Sequence, residues 1–145
     1  MSTPNSSYAE LNTILEQAHS SPHCLFRLTE QQLVGLQHRW CTALSARLDS
    51  VIEFAGSRPL PDAVAVGWRE LATERNTLRS LLDAGEQTCQ KPVDGLRTEA
   101  RMLAHATGLV GLDDPIEEAV RVGLSYRERI RSCQEWSTPA HTEIA

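Results

Sequence analysis

Histidine and cysteine lie close together twice near the start of the chain, in HSSPHC at 19–24 and in HRWC at 38–41. Both residue types bind zinc, but a structural zinc site usually needs four ligands and a tight pair such as C-x-x-C. Neither cluster has that spacing. On a helix, His38 would point toward the polar side, while Cys41 would lie at the margin of the apolar side. We therefore predict no metal site, a solvated His38 and a small buried thiol at Cys41.

Motifs of the common enzyme classes are missing from the sequence. It contains no pair of Glu-x-x-His motifs of the kind that holds di-iron in helical bundles. It also lacks a glycine-rich phosphate loop, a G-x-S-x-G elbow and an H-E-x-x-H pair. We therefore predict no catalytic residue and no cofactor.

Two arginines are predicted to point toward the apolar sides of their helices. Arg75 falls in the middle of one apolar stripe, and Arg127 occupies the equivalent place in another. Such a charge must be paired, reach water along its stem, or meet an anion, because isolated burial costs several kcal/mol. A carboxylate on another helix, such as Glu99 or Glu74, would satisfy the first condition, and a subunit interface would also accommodate arginine.

The other interpretation of these arginines is an anion pocket inside the bundle. In that hypothesis Arg75 and Arg127 clamp a carboxylate or phosphate, because a guanidinium matches the planar geometry of such groups. Tyr126 and Gln37 would add hydrogen bonds to the ligand. The sequence leaves the structural and the ligand-binding interpretations open.

The elements that would position these residues are helices. Apolar residues recur every three or four positions, and no segment shows the sustained alternation of a strand, so the fold class is all-α. Thr29 and Gln32 have capping-box spacing, and Gly56 supplies a left-handed stop for the same helix. We predict a bundle of four main amphipathic helices plus a short N-terminal helix. The short N-terminal helix is predicted at about 7–18. The four main helices are predicted at about 30–55, 62–83 and 92–107 and within 108–132.

Four residues mark the remaining helix boundaries. Ser7 begins a capping box for the N-terminal helix, and Gly85 follows the end of the 62–83 helix. Pro92 suits the start of the next helix, and Asp114 is a candidate cap for the last one.

Length and composition indicate a single domain over residues 1–145, with flexible tails at 1–6 and 134–145. The net charge of −5 gives no global support for binding a phosphate backbone, and glutamates dilute the basic YRERIR segment at 126–131, so nucleic acid is not a predicted partner. The chain shows neither a secretory signal nor an apolar run of the ~20 residues that a membrane helix needs. We expect a cytoplasmic protein with free thiols and no membrane association.

These observations favour a non-enzymatic helical bundle that acts through protein–protein association. A regulatory role and a homodimer both fit this interpretation, and Trp40 and Trp68 are candidate anchors for the core or for an interface. The alternative is a small-molecule binder or enzyme whose anionic ligand is held by inward-facing arginines.

Overall fold

The computed structural model describes residues 8–20, 28–88 and 94–132. Within these ranges the chain forms α-helices and no strand, so the predicted all-α class is confirmed. The flexible tails predicted at 1–6 and 134–145, Ser7 and Pro92 lie outside the described residues. The helices are α1 (Tyr8–Ser20), α2 (Glu30–Glu53), α3 (Leu60–Glu74), α4 (Asn76–Thr88), α5 (Asp94–Ala106) and α6 (Ile116–Ser132).

The ends of α2 follow the sequence signals. Gln32 N donates to Thr29 Oγ1 at 3.0 Å, and Thr29 N donates to Gln32 Oε1 at 2.9 Å, which confirms the capping box. After the helix, Gly56 has a φ of +63°, as a left-handed stop requires. α2 is 24 residues long and buries one side along its whole length, at Leu33, Leu36, Gln37, Trp40, Cys41, Leu44 and Leu48.

The helix predicted at 62–83 is two helices in the structure, and this is the main departure from the predicted bundle. Arg75 ends α3 with φ −117° and ψ 48°, and α4 begins at the next residue. Arg75, at the break, is exposed, whereas Arg79, about one turn further along the chain, is buried.

Two glycines allow close packing between helices. Gly85 does not end the third predicted helix; it lies within α4, where a Cβ would come within 2.6 Å of Leu33 Cδ1 on α2. Gly123 on α6 faces α5, and a Cβ there would collide with the Ala100 carbonyl group. The backbones of α5 and α6 therefore lie in direct contact.

All six helices of the described residues contribute to one cluster of buried apolar side chains. α1 adds Leu11, Ile14 and Ala18 to this cluster, and α6 adds Tyr126 and Ile130. Among the described helices, none is long and apolar enough to cross a membrane.

Candidate functional site

Arg127 lies in the interior, as predicted, and carboxylates from two other helices surround it. Its side chain is 5% exposed. Arg127 Nε donates to Glu99 Oε1 at 3.0 Å, and one terminal nitrogen contacts both oxygens of Glu86 at 3.1 Å. Burial alone would lower the pKa of Arg127, but the charges of Glu99 and Glu86 outweigh it and raise the pKa above its ordinary value.

Glu99 also joins the two tryptophans of the core. Its Oε2 accepts hydrogen bonds from Trp40 Nε1 at 2.9 Å and from Trp68 Nε1 at 2.7 Å. The indole rings lie edge to face, with centroids 5.6 Å apart and an interplanar angle of 74°. Trp40 and Trp68 are each 1% exposed, so in the single chain they anchor the core and present no surface to a partner.

A second buried arginine extends this network toward the surface. Arg79 donates to Glu86 at 3.0 Å and to Asp83 at 3.0 Å, and Arg131 donates to Asp83 at 2.7 Å. The guanidinium carbon of Arg79 lies 4.7 Å from the ring centroid of Trp40.

The network is electrically balanced. Three arginines, at positions 79, 127 and 131, face three carboxylates, at positions 83, 86 and 99. An anionic ligand would have to displace one of these carboxylates to reach Arg127. The buried arginines therefore form ion pairs with glutamate and aspartate side chains. This arrangement agrees with the structural interpretation of the inward-facing arginines.

Tyr126 and Gln37, the predicted auxiliary ligand residues, are both buried. Tyr126 donates its hydroxyl hydrogen to the Pro61 carbonyl oxygen at 2.5 Å, and burial raises the pKa of this phenol above its ordinary value. Both amide atoms of Gln37 are buried and have no hydrogen-bond partner among the described residues, and the side chain packs on Gly95 of α5. Neither residue lines the surface groove in which Arg75 lies.

Arg75 is exposed, so the prediction that it faces the core is wrong. It lies at the junction of α3 and α4, where it lines a surface groove together with residues of α1 and α2. No described residue pairs with its guanidinium. The clamp predicted between Arg75 and Arg127 is therefore not formed, because one guanidinium is buried and neutralised while the other faces solvent.

The groove that Arg75 lines has a volume of about 1270 Å³, and we call it the α1 groove. Its basic and acidic side chains are Arg39, Arg75, His19, His38, Glu16 and Glu74. Its apolar side chains are Leu11, Leu15, Val34, Ala43 and Leu78, and its remaining lining residues are Tyr8, Asn12, Ser20, Gly35, Thr42, Asn76 and Thr77.

Three of the six basic and acidic side chains in the α1 groove, those of Glu74, Arg39 and His19, have partners among the described residues. Glu74 accepts from Arg47 at 2.6 Å. Arg39 donates to Asn12 Oδ1 at 2.8 Å and lies over the Tyr8 ring. Among the described residues the Arg75 guanidinium has no ion-pair partner, so it can bind another group.

A smaller cleft adjoins the α1 groove on the other side of Asn76, which lines both. We call it the α6 cleft, because Ser132, the last residue of α6, forms part of its wall. Its volume is about 370 Å³, and its other lining residues are Trp68, Ala72, Arg79, Ser80, Asp83 and Arg131.

One histidine from each histidine and cysteine cluster, His19 and His38, lines the α1 groove. His38 is exposed and Cys41 is buried, as the helical spacing predicted, and His23 and Cys24 lie outside the described residues. Within the described ranges, no group of three or more histidine, cysteine or acidic side chains is placed to hold a metal ion. Burial, followed by the negative charge of Glu99, raises the pKa of the Cys41 thiol to about 12, so this thiol is protonated at neutral pH.

Sequence reasoning named Glu99 as a partner for an inward arginine but missed Arg79 and Glu86. A signal for Glu99 is present, since it follows Leu96 by three residues and precedes Leu103 by four, within the apolar stripe of α5. The signal for Arg79 is weaker, because it precedes Leu82 by three residues but lies at the margin of the apolar stripe, whereas Arg75 lies at its centre.

Comparison of the chain with protein-family models, with curated proteins and with solved structures finds no match. What the chain binds is therefore inferred from the chemistry of its own surface.

Proposed function

We propose that the chain acts through protein association, by binding an acidic, partly apolar segment of a partner protein in the α1 groove. The observation that carries this proposal is the exposed guanidinium of Arg75, which no described residue neutralises and which lies beside apolar side chains. A carboxylate is the natural ligand for such a group, because a guanidinium donates two parallel hydrogen bonds to it.

The size of the α1 groove favours a peptide segment over a small molecule. Pockets for small ligands have volumes of about 300–1,000 Å³. The α1 groove, at about 1270 Å³, exceeds that range, and its walls come from α1, α2 and the start of α4. An amphipathic segment can lay its apolar side chains on Leu15 and Val34 while an acidic side chain reaches Arg75.

The balanced interior also supports association over catalysis. The buried arginines are matched by carboxylates, and the Cys41 thiol is held in its unreactive protonated form. A groove that binds another protein through one charged anchor suits a regulatory role, because a change in either side's charge alters the affinity.

Photo-crosslinking from the groove wall tests this proposal. A photoreactive amino acid at Val34, which is 39% exposed in the α1 groove, should capture one protein in the native cell. The same amino acid at Ser125, an exposed position on α6 away from the groove, is the matched control. Capture of the same protein from both positions would contradict a specific groove interaction.

The captured partner then allows a charge-reversal test. Arg75→Glu should weaken its binding by at least about 10-fold, since a hydrogen bond to a charged group contributes about 1.5–3 kcal/mol. Arg101→Glu, on the exposed side of α5, makes the same change in net charge outside the groove and should leave the affinity unchanged. Equal weakening by both variants would contradict the assigned role of Arg75. If the captured protein is a second copy of this chain, the association is a homodimer.

A further inference from the structure

The α6 cleft has the dimensions of a small-molecule site. Its volume of about 370 Å³ lies within the range of about 300–1,000 Å³ that is usual for such sites. Its walls come from three helices, α3, α4 and α6. The buried ion-pair network reaches the surface here, because Arg79, Asp83 and Arg131 all line the cleft.

The Arg79 guanidinium is fixed in position and keeps an unused donor. Its Nε donates to Asp83 and its Nη2 donates to Glu86, both at 3.0 Å. Its central carbon lies 4.7 Å from the ring centroid of Trp40 and 5.6 Å from that of Trp68. The remaining nitrogen, Nη1, is buried and has no hydrogen-bond partner among the described residues. A buried donor without a partner is unfavourable, so Arg79 favours a ligand that supplies an acceptor.

Arg131 and Asp83 also have hydrogen-bonding capacity left. Arg131 is partly exposed and donates through Nη1 to Asp83 Oδ1 at 2.7 Å, which leaves others of its five N–H groups without a partner in the described part of the chain. Asp83 accepts from both arginines on Oδ1, whereas its Oδ2 has no partner among the described side chains. The cleft therefore presents the donors of two arginines next to a carboxylate oxygen that can accept.

The balance of charge selects the class of ligand. The network already matches three arginines with three carboxylates, so an anion or a cation would bring an uncompensated charge against it. A zwitterion adds no net charge, and it supplies a carboxylate for the arginines and an ammonium group for Asp83. Because Asp83 lies within 3.0 Å of both arginines, the two charges of the ligand must be close together, as they are in an α-amino acid.

We infer that the α6 cleft binds a free α-amino acid, with its carboxylate against Arg79 and Arg131 and its ammonium group against Asp83 Oδ2. Trp68 and Ala72 line the same cleft and supply apolar surface for the side chain of the ligand. This site is separate from the α1 groove, and its occupancy does not depend on the function proposed for that groove.

Thermal unfolding of the full chain in the presence of each of the common amino acids tests this assignment. At about 10 mM, an amino acid with a Kd of about 0.1 mM should raise the melting temperature by about 8 °C. We expect at least one amino acid to stabilise the chain in this way. No rise in melting temperature with any of them would overturn the inference.

Two analogues of the best-binding amino acid test its two charges, by isothermal titration calorimetry. The amide of the amino acid lacks the carboxylate, and the corresponding 2-hydroxy acid lacks the ammonium group. Each analogue should bind at least about 10-fold more weakly, because each loses a hydrogen bond to a charged group. Equal binding of either analogue, or of inorganic phosphate, would contradict a site that recognises both charges.

Two substitutions test the location of the site. Arg131→Gln removes one guanidinium of the cleft and should weaken binding at least about 10-fold. Ser80→Phe places a large side chain at an exposed position of the cleft wall without removing any group of the ion-pair network, and should weaken binding by a similar factor. Arg101→Gln, on the exposed side of α5, makes the same charge change as Arg131→Gln and should leave the affinity unchanged.

Circular dichroism establishes that each variant is folded before its affinity is measured. If Arg131→Gln or Ser80→Phe binds the amino acid as tightly as the unmodified chain does, the α6 cleft is not the site. Equal weakening by Arg101→Gln would also rule it out, because the effect would then follow net charge and not contact with the ligand.

Discussion

Replacing Glu99 by glutamine tests the interior of the bundle most severely. The substitution keeps the shape of the side chain and removes the negative charge that faces Arg127 Nε at 3.0 Å. The new amide group also has to present its NH₂ to a hydrogen-bond donor, because Glu99 accepts from Trp40 and Trp68 on one oxygen and from Arg127 on the other.

The expected loss of stability follows from burial. Glu99 and Arg127 have side-chain exposures of 3% and 5%, so solvent screens neither charge. Removing one partner of a buried ion pair costs about 3–5 kcal/mol, and Glu86, which also contacts Arg127, keeps the loss near the lower value. For a chain of this size the melting temperature falls by about 3 °C per kcal/mol, so we expect a decrease of about 10 °C.

Thermal and urea unfolding followed by circular dichroism measure this loss. Glu118→Gln is the matched control, since it makes the same change in an exposed ion pair with Arg121 and should leave the urea midpoint unchanged. The double variant Glu99→Gln, Arg127→Met should lose less stability than the sum of the single variants, because it leaves no charge of this pair uncompensated. Strict additivity, or a Glu99→Gln chain as stable as the Glu118→Gln control, would refute the reasoning.

Further predictions concern close packing and buried acids. Gly123→Ala should destabilise the chain by about 3 kcal/mol or more in urea unfolding, because the added methyl group would collide with the backbone of α5. Gly111→Ala is the control. Its added methyl group would contact only a side-chain atom, at 3.8 Å, so this variant should be as stable as the unmodified chain. With the other three cysteines replaced by serine, the reaction of Cys41 with iodoacetamide at pH 8 should be ~10³-fold slower in the native chain than in denaturant. The reason is that a pKa of about 12 leaves little of the reactive thiolate in the native chain. Equal rates would contradict the burial of Cys41. The folded-state pKa values of Cys41 and Tyr126 lie above their ordinary values, so the stability that depends on their protonated forms should be lost as pH rises from 9.0 toward about 12. The urea midpoint should therefore fall over that range, and less steeply in Cys41→Ala; an unchanged slope would contradict this assignment.

The features of the fold that depend on local signals could be predicted from the sequence. The capping box at Thr29 and the left-handed Gly56 are formed by neighbouring residues, and both are confirmed. The inward direction of Arg127 was also predicted, because α6 continues without a break through the apolar stripe that contains it.

The break at Arg75 could not be predicted by the same reasoning. The surrounding sequence, ATERNTL, contains neither proline nor glycine, and its apolar period continues across the junction. A helix that follows this period would turn Arg75 inward. The structure leaves the helical conformation at that residue, which is exposed, whereas Arg79 is buried between Asp83 and Glu86.

The α1 groove was beyond sequence reasoning for a different reason. Its walls come from α1, from the middle of α2 and from the start of α4, which are distant in the chain. Their apposition is a tertiary property, which helical periodicity does not specify. Arg75 was identified as a candidate ligand-binding residue, but for the interior of the bundle and not for this surface.

The most direct test of the proposed function is amide hydrogen exchange of the full chain with and without the protein captured at Val34. Binding in the α1 groove should slow exchange in α1, in the part of α2 around Val34 and at the start of α4. It should leave the amides of α5 unchanged. Slowed exchange confined to α5 and α6, with none in α1, would contradict the assignment of the groove as the binding surface.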